Sequence, residues 1–149
     1  MKTALFVDID GVLHPMSAIA FDFVDREMVI GGEDLLRWAP ILWDLIQPFD
    51  VPLIVHSSWR HIYRLDEIVS TFPLPIRSRI LDVTSDPGRY EGIVSYVERH
   101  RIERFAVLDD MPGAFPPGWP HLITCDPELG ISAPDVQERI KRFLEGPGQ

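Results

Sequence analysis

Short β-branched and aliphatic runs alternate with stretches of helical period along most of the chain, and this alternation constrains the fold more than any other feature. Thr3 to Val7 reads as a buried strand, followed by Pro52 to His56, a weaker Ile80 to Val83, Phe105 to Leu108 and His121 to Thr124. Four helices fit between and after them. Glu33 to Gln47 spaces Leu35, Leu36, Trp38, Leu42, Trp43 and Ile46 helically, with Pro40 either kinking the helix or restarting it from a first turn. Arg60 to Phe72 places Ile62, Leu65, Ile68 and Val69 on one face, and Gly88 to His100 does the same with Ile93, Val94 and Val97. The last helix has Ser132 as its cap, Pro134 in its first turn, and Ile140, Phe143 and Leu144 facing inward before Gly146. The pattern predicts an α/β fold: a Rossmann-like three-layer sandwich around a mainly parallel sheet.

Val12 to Ile30 breaks the alternation. Pro15 and Asp25-Arg26-Glu27 interrupt its apolar runs, which predicts a β-hairpin or irregular flap over residues 12–30. No repeat, low-complexity tract or linker divides the chain, so residues 1–146 are expected to form one domain and 147–149 a frayed tail. A domain of 149 residues hides roughly 70% of its unfolded surface and needs no disulfide or structural metal to fold. Cys125 is the single cysteine, which excludes an internal disulfide and fits a reducing cytoplasm. The longest stretch free of Asp, Glu, Lys and Arg, Met111 to Cys125, holds four prolines and cannot span a membrane as a helix. With 23 acidic against 14 basic residues the net charge is −9, which disfavours nucleic-acid binding over a broad surface but leaves room for a local arginine-lined site.

The first strand runs into Asp8-Ile9-Asp10-Gly11, delivering two carboxylates to its carboxyl end, where open α/β sheets bind ligands. Strand alternation puts Asp8 and Asp10 on one side, and Gly11 lets the backbone turn away. A second apolar strand also ends in paired acids, Leu108-Asp109-Asp110. Two close carboxylates need a cation or a shared proton, and the two strand ends together could supply the oxygen ligands that Mg²⁺ prefers. Strand-end aspartates are ordinarily turn and capping residues. It is the coincidence of two such pairs that points to a site.

These motifs resemble those of the haloacid dehalogenase (HAD) superfamily of phosphohydrolases, whose first motif, Asp-x-Asp-Gly, appears as Asp8 to Gly11. The second, a strand ending in Ser or Thr, is similar to Leu53-Ile54-Val55-His56-Ser57, and the fourth, a strand ending in two acids, to Val107-Leu108-Asp109-Asp110. The contexts Asp-Gly-Val-Leu-His, Ser-Ser-Trp-Arg and Leu-Asp-Asp are similar to a small branch that includes domains attached to RNA-repair proteins. The third motif supplies a Lys or Arg. The only lysines are Lys2, at the wrong end of the first strand, and Lys141, late in the last helix, so an arginine must serve: Arg89 by placement, with Arg77 and Arg79 as alternatives.

The resemblance implies that Asp8 attacks phosphorus to give an aspartyl-phosphate while Asp10 acts as general acid and then base. Dehalogenase members lack this second acid. It also implies Mg²⁺ held by Asp8, the Asp10 main-chain carbonyl and Asp109, with Asp110 direct or through water. Ser57, or Ser58 if the strand ends one residue later, and Arg89 would hold phosphoryl oxygens. Only 46 residues separate Asp10 from Ser57 and 31 separate Ser57 from Arg89, too few for a separate cap domain. An open site favours a phosphate at the end of a larger molecule, or a small substrate enclosed by the flap or a second subunit. The expected activity is a Mg²⁺-dependent phosphomonoester hydrolase; a polynucleotide-end phosphatase and a non-catalytic phosphate-binding module are the alternatives.

Other residues carry weaker signals. Trp59 and Arg60 follow the second motif and invite substrate contact, though a core tryptophan and a surface arginine explain them equally well. His56 reads as a hydrogen-bonded core histidine, and His14 in the flap is placed to approach the site. Cys125 reads as an inert small hydrophobe. Arg99, His100, Arg101 and Arg104 form a basic patch that a solvated helix end accounts for.

Overall fold

Ala4, Leu5, Phe6 and Val7 of β1 (Thr3–Val7) are all buried, a state open only to a strand covered on both faces. In the computed structural model, which describes residues 2–22, 27–30, 35–85 and 88–146, β1 is the middle strand of five. An antiparallel hairpin of β2 (Ile19–Asp22) and β3 (Glu27–Ile30) follows, then α1 (Ala39–Ile46). β4 (Leu53–Val55), α2 (Leu65–Thr71), the short α3 (Leu74–Arg77) and β5 (Ile80–Val83) build one side of the sheet. α4 (Arg89–His100), β6 (Arg104–Asp109), β7 (Leu122–Thr124) and α5 (Pro134–Glu145) complete the order.

The main sheet runs β5-β4-β1-β6-β7 with every pairing parallel. Its five strands lie within one residue of the expected bounds at each end, and β2 and β3 lie within the stretch 12–30 that the sequence marks as a hairpin or irregular flap. Alternate residues of β1 enter different cores. Leu5 and Val7 join Leu42, Ile46, Ile68, Ile76, Val136 and Ile140 under α1, α2, α3 and α5, whereas Ala4 and Phe6 meet Ile93 and Tyr96 of α4. The result is the predicted Rossmann-like three-layer sandwich. The chain grows from β1 outward through β4 and β5, then returns to the other side of β1 for β6 and β7. The crevice between the carboxyl ends of β1 and β6 is therefore the topological switch point.

Three local expectations need correction. The helix expected from Arg60 begins at Leu65. Ser57 accepts the Trp59 N–H through Oγ at 3.2 Å and starts a 3₁₀ turn over Ser58–His61, while Arg64, extended, marks the restart, with Glu67 accepting its N–H at 2.9 Å. Ile62 consequently lies in the connecting turn and is 68% exposed instead of sharing a buried face with Ile68. Likewise, the helix expected from Glu33 starts only at Ala39, so that of the two alternatives for Pro40 the restart from a first turn holds, because Leu36 adopts φ 52° and Trp38 donates its N–H to the Leu13 carbonyl. Residues 33 and 34, and the tail at 147–149, lie outside the described residues. Finally, Ser132 does not cap α5. Its hydroxyl turns back to the Leu129 carbonyl within a 3₁₀ turn, and Ala133 occupies the cap position without a side-chain bond.

Candidate active site

Parallel pairing of Val7 with Leu108 brings the ends of β1 and β6 level, and the Asp8 N–H donates to the Leu108 carbonyl at 3.0 Å. The first acid of each pair thus emerges beside the other. Asp8 and Asp109 are almost completely buried. Asp8 Oδ1 accepts the Ile9 N–H at 2.8 Å, and Asp109 Oδ1 accepts the Met111 N–H at 2.8 Å. Their outer oxygens converge on one nitrogen: Arg89 Nη1 donates to Asp8 Oδ2 at 3.0 Å and to Asp109 Oδ2 at 2.9 Å. Arg89 opens α4, from where its side chain reaches the strand ends.

Asp8, Asp109 and Asp110 each present a carboxylate oxygen within 4.8 Å of the others. Asp110 occupies the space left by the missing side chain of Gly11, where a Cβ would stand 2.2 Å from Asp110 Oδ2, and Gly11 itself has φ +77°. Crowding and burial oppose ionisation. Burial, followed by repulsion from Asp109, raises the Asp8 carboxyl well above the usual carboxylate range against the pull of Arg89. Burial likewise pushes Asp109 up to about 6, with Arg89 and the Met111 amide opposing. Burial also works against the Arg89 charge, but Asp8 and Asp109 outweigh it and keep the guanidinium protonated. A divalent cation would relieve this repulsion, and an all-oxygen donor set suits Mg²⁺.

Asp10 is held apart from that cluster. Its Oδ1 accepts from His14 Nε2 at 2.8 Å and from Trp59 Nε1 at 3.2 Å. Leu36 donates its N–H to His14 Nδ1 at 3.2 Å, so the ring proton resides on Nε2 and points at Asp10. His14 does approach the site, as its place in the flap suggested. The Trp59 link escaped the sequence reading, although its position two residues after Ser57 was the available signal.

Of the two serines Ser57 is buried and Ser58 exposed, and Ser57 lies two residues past the end of β4; its neighbour His56 donates its N–H to the Val7 carbonyl at 3.1 Å. Arg60 is turned back, with Nη1 donating to the Ser57 carbonyl at 3.0 Å. Arg77 and Arg79, the alternatives to Arg89, are directed elsewhere: Arg77 to the carbonyls of Phe72 and Ser70, Arg79 to those of Ile46, Gln47 and Val51. His56 is fully buried, and burial lowers its pKa to about 3, so it is neutral. Its Nε2 lies 3.3 Å from the Leu108 carbonyl, and Nδ1 faces Asp109 Oδ2 at 3.7 Å.

Comparison with known proteins accords with this geometry. The family model for the HAD domain in Swiss Army Knife RNA repair proteins matches residues 4–136, a span that includes both strand ends, Ser57 and Arg89. Neither a curated protein nor a solved structure was found to match. The family match takes in four of the five parallel strands whole, β1 from Ala4 onward, and the crevice between β1 and β6, and on that extent the chain belongs to the HAD domains found in Swiss Army Knife RNA repair proteins.

Proposed function

We propose that the chain is a Mg²⁺-dependent phosphomonoester hydrolase working through an aspartyl-phosphate. The observation that carries this reading is the convergence of Asp8, Asp109 and Arg89, from three separate elements, on the switch-point crevice. Asp8 is the nucleophile, positioned by the Ile9 amide on Oδ1 so that Oδ2 faces the crevice occupied by Arg89. Asp10 protonates the departing oxygen and later takes the proton of the attacking water. Arg89 and Ser57 hold phosphoryl oxygens as charge spreads over them.

Asp8, the Asp10 main-chain carbonyl and Asp109 would hold the metal, with Asp110 direct or through water. Bound there, Mg²⁺ supplies positive charge that neutralises phosphoryl oxygens and lets the acids ionise together. Asp8, Asp10, Asp109 and Asp110 account for four of the formal negative charges of a chain whose formal net charge is −9, so an anionic ester needs such neutralisation to enter. Between β1 and β4 the described elements are a short 3₁₀ turn, a hairpin and α1, which fits a site without a cap domain. No helix among the described residues is long and apolar enough to cross a membrane.

A second reading, a phosphatase for polynucleotide ends, is favoured by the segment that follows Ser57. Trp59, Arg60, His61, Ile62, Tyr63 and Arg64 set aromatic beside basic side chains; Tyr63 is 43% exposed and packs edge-on to Trp59 at 5.8 Å. An exposed ring beside a phosphate site suits base stacking. The family description supports this reading and the net charge opposes it. The test is hydrolysis of sugar phosphates, nucleotides, phosphopeptides and 3′-phosphorylated oligonucleotides, with and without Mg²⁺ and with Asp8→Asn as control. Activity surviving in Asp8→Asn sinks the nucleophile. Phosphate binding without turnover on the whole panel would make the chain a non-catalytic phosphate-binding module.

A further inference from the structure

Asp10 is anchored more elaborately than a free acid on a loop. Two N–H donors end on the same oxygen, Oδ1: His14 Nε2 at 2.8 Å from the start of the flap, and Trp59 Nε1 at 3.2 Å from the turn after β4. Among the described residues no hydrogen bond reaches Oδ2. The donors are themselves fixed. His14 is completely buried, its Nδ1 takes the Leu36 N–H, and Leu36 is pinned in the left-handed region at φ 52° just before α1. The His14 and Trp59 rings lie 6.2 Å apart at 36°, and Trp59 is braced in turn by Tyr63. Two separated segments therefore converge on one carboxylate oxygen, and a third, at Leu36, fixes one of the donors. This exceeds what a turn needs, since Gly11 already forms it with its N–H on the His14 carbonyl at 3.0 Å.

Resting on the hydrolase reading above, we propose that His14 and Trp59 are positioning residues that hold Asp10 by Oδ1, so that Oδ2 is the atom exchanging protons with substrate oxygen and water. In the first half-reaction a bond forms from Asp8 to phosphorus as the ester P–O bond breaks, and the proton on Asp10 Oδ2 passes to the departing oxygen. In the second, water bonds to phosphorus as the Asp8–phosphorus link breaks, and the water proton returns to Oδ2. Both steps need Oδ2 at hydrogen-bond distance from a moving oxygen, with little tolerance in its placement. A donor pair that removes the carboxyl's rotational freedom provides this, and misplacement by about 1 Å can cost on the order of 100-fold.

The expected signature depends on the leaving group. The parameter kcat/KM reports phosphoryl transfer to Asp8, and an oxygen that departs readily without a proton gains little from the acid. The experiment compares kcat/KM for a series of substituted phenyl phosphates, from p-nitrophenyl to unsubstituted phenyl. Wild type, His14→Phe, Trp59→Phe, His14→Gln and Asp8→Asn are assayed, and each fold is checked by circular dichroism. His14→Phe and Trp59→Phe should lose about tenfold more on phenyl phosphate than on p-nitrophenyl phosphate. His14→Gln, whose amide keeps an acceptor for Leu36 and a donor for Asp10, should recover most of that difference. Trp59→Phe removes the N–H and keeps an aromatic ring in the same place, so it decides the matter if His14→Phe does not fold. Parallel losses along the series, or none, with Asp8→Asn inactive, overturn the positioning role alone. No wild-type hydrolysis, or full activity in Asp8→Asn, overturns the hydrolase reading and this proposal together.

Discussion

Arg89 Nη1 and Asp8 Oδ2 lie 3.0 Å apart although 81 positions of sequence separate them. The same nitrogen reaches Asp109 at 2.9 Å, so one guanidinium offsets two buried acids. Arg89→Met should lower both stability and catalysis. Breaking a buried ion pair costs at most about 3 to 5 kcal/mol, and proton uptake by Asp8 and Asp109 moderates that loss. Catalysis should fall by about 10²–10³ in kcat/KM, the usual cost of deleting a donor that faces developing charge. Arg89→Lys should recover part of the stability and less of the rate, because a point charge cannot reproduce the planar fork. Thermal unfolding and steady-state kinetics check both, and an unchanged kcat/KM would move the anion-binding role to another base.

Gly11 faces two constraints at once. Its φ of +77° is unfavourable for any residue with a Cβ, and that Cβ would stand 2.2 Å from Asp110 Oδ2. Gly11→Ala should therefore displace the Asp110 carboxylate as well as cost roughly 1 kcal/mol of backbone strain. Its expected mark is weaker Mg²⁺ binding, out of proportion to a small fall in Tm. Calorimetric titration of Mg²⁺ into wild type and variant measures the effect, and equal affinities would mean that Asp110 takes no part in holding the ion.

The sheet and both acid pairs were legible because strand ends and apolar runs are local signals. Asp8, Asp10, Asp109 and Asp110 lie where an apolar run stops, so no tertiary information was needed to find them. Arg89 needed elimination as well, since its partners come from two other elements. Trp59 illustrates the limit: a tryptophan after a strand reads as core, and it is buried, yet its indole N–H ends on Asp10. The failure at Arg60 to Arg64 has a related cause. The helical spacing of Ile62 with Leu65 and Ile68 was real in sequence, but the Ser57 side chain capturing the Trp59 amide diverted the chain into a 3₁₀ turn first.

Cys125 should be chemically silent in the folded protein. It follows β7, is 1% exposed, and burial pushes its thiol up to about 12, with the carboxylates of Asp109, Asp110 and Asp8 adding to the shift. Since the thiolate is the reactive form, labelling by a thiol reagent near neutral pH requires opening of the structure. Its amide donates to the Asp109 carbonyl at 2.9 Å, so that opening also disturbs the acid cluster. The labelling rate should therefore track the population of the opened form and rise steeply with denaturant. Rapid labelling without denaturant would contradict the burial of Cys125.

The buried acids should give metal-free protein an unusual pH dependence. Burial raises both Asp8 and Asp109, the latter to about 6 from an ordinary value of 3.8, so the folded chain binds their protons more tightly than the unfolded chain. The stabilising contribution of Asp109 is fully present below about pH 4 and is lost as pH rises through about 6, at up to about 1.4 kcal/mol per pH unit for its titrating proton, and that of Asp8 is lost in the same direction as pH rises. Over that window wild type should lose Tm relative to Asp109→Asn, which has no proton to lose at that position. A cation that binds the ionised acids should reverse the order, so Mg²⁺ should raise the wild-type Tm near pH 7.5, less near pH 5, and little in Asp109→Asn at either. Thermal unfolding in chelator and in Mg²⁺ across this range provides the check. A difference between wild type and Asp109→Asn that stays flat with pH would mean that Asp109 titrates as an ordinary carboxylate.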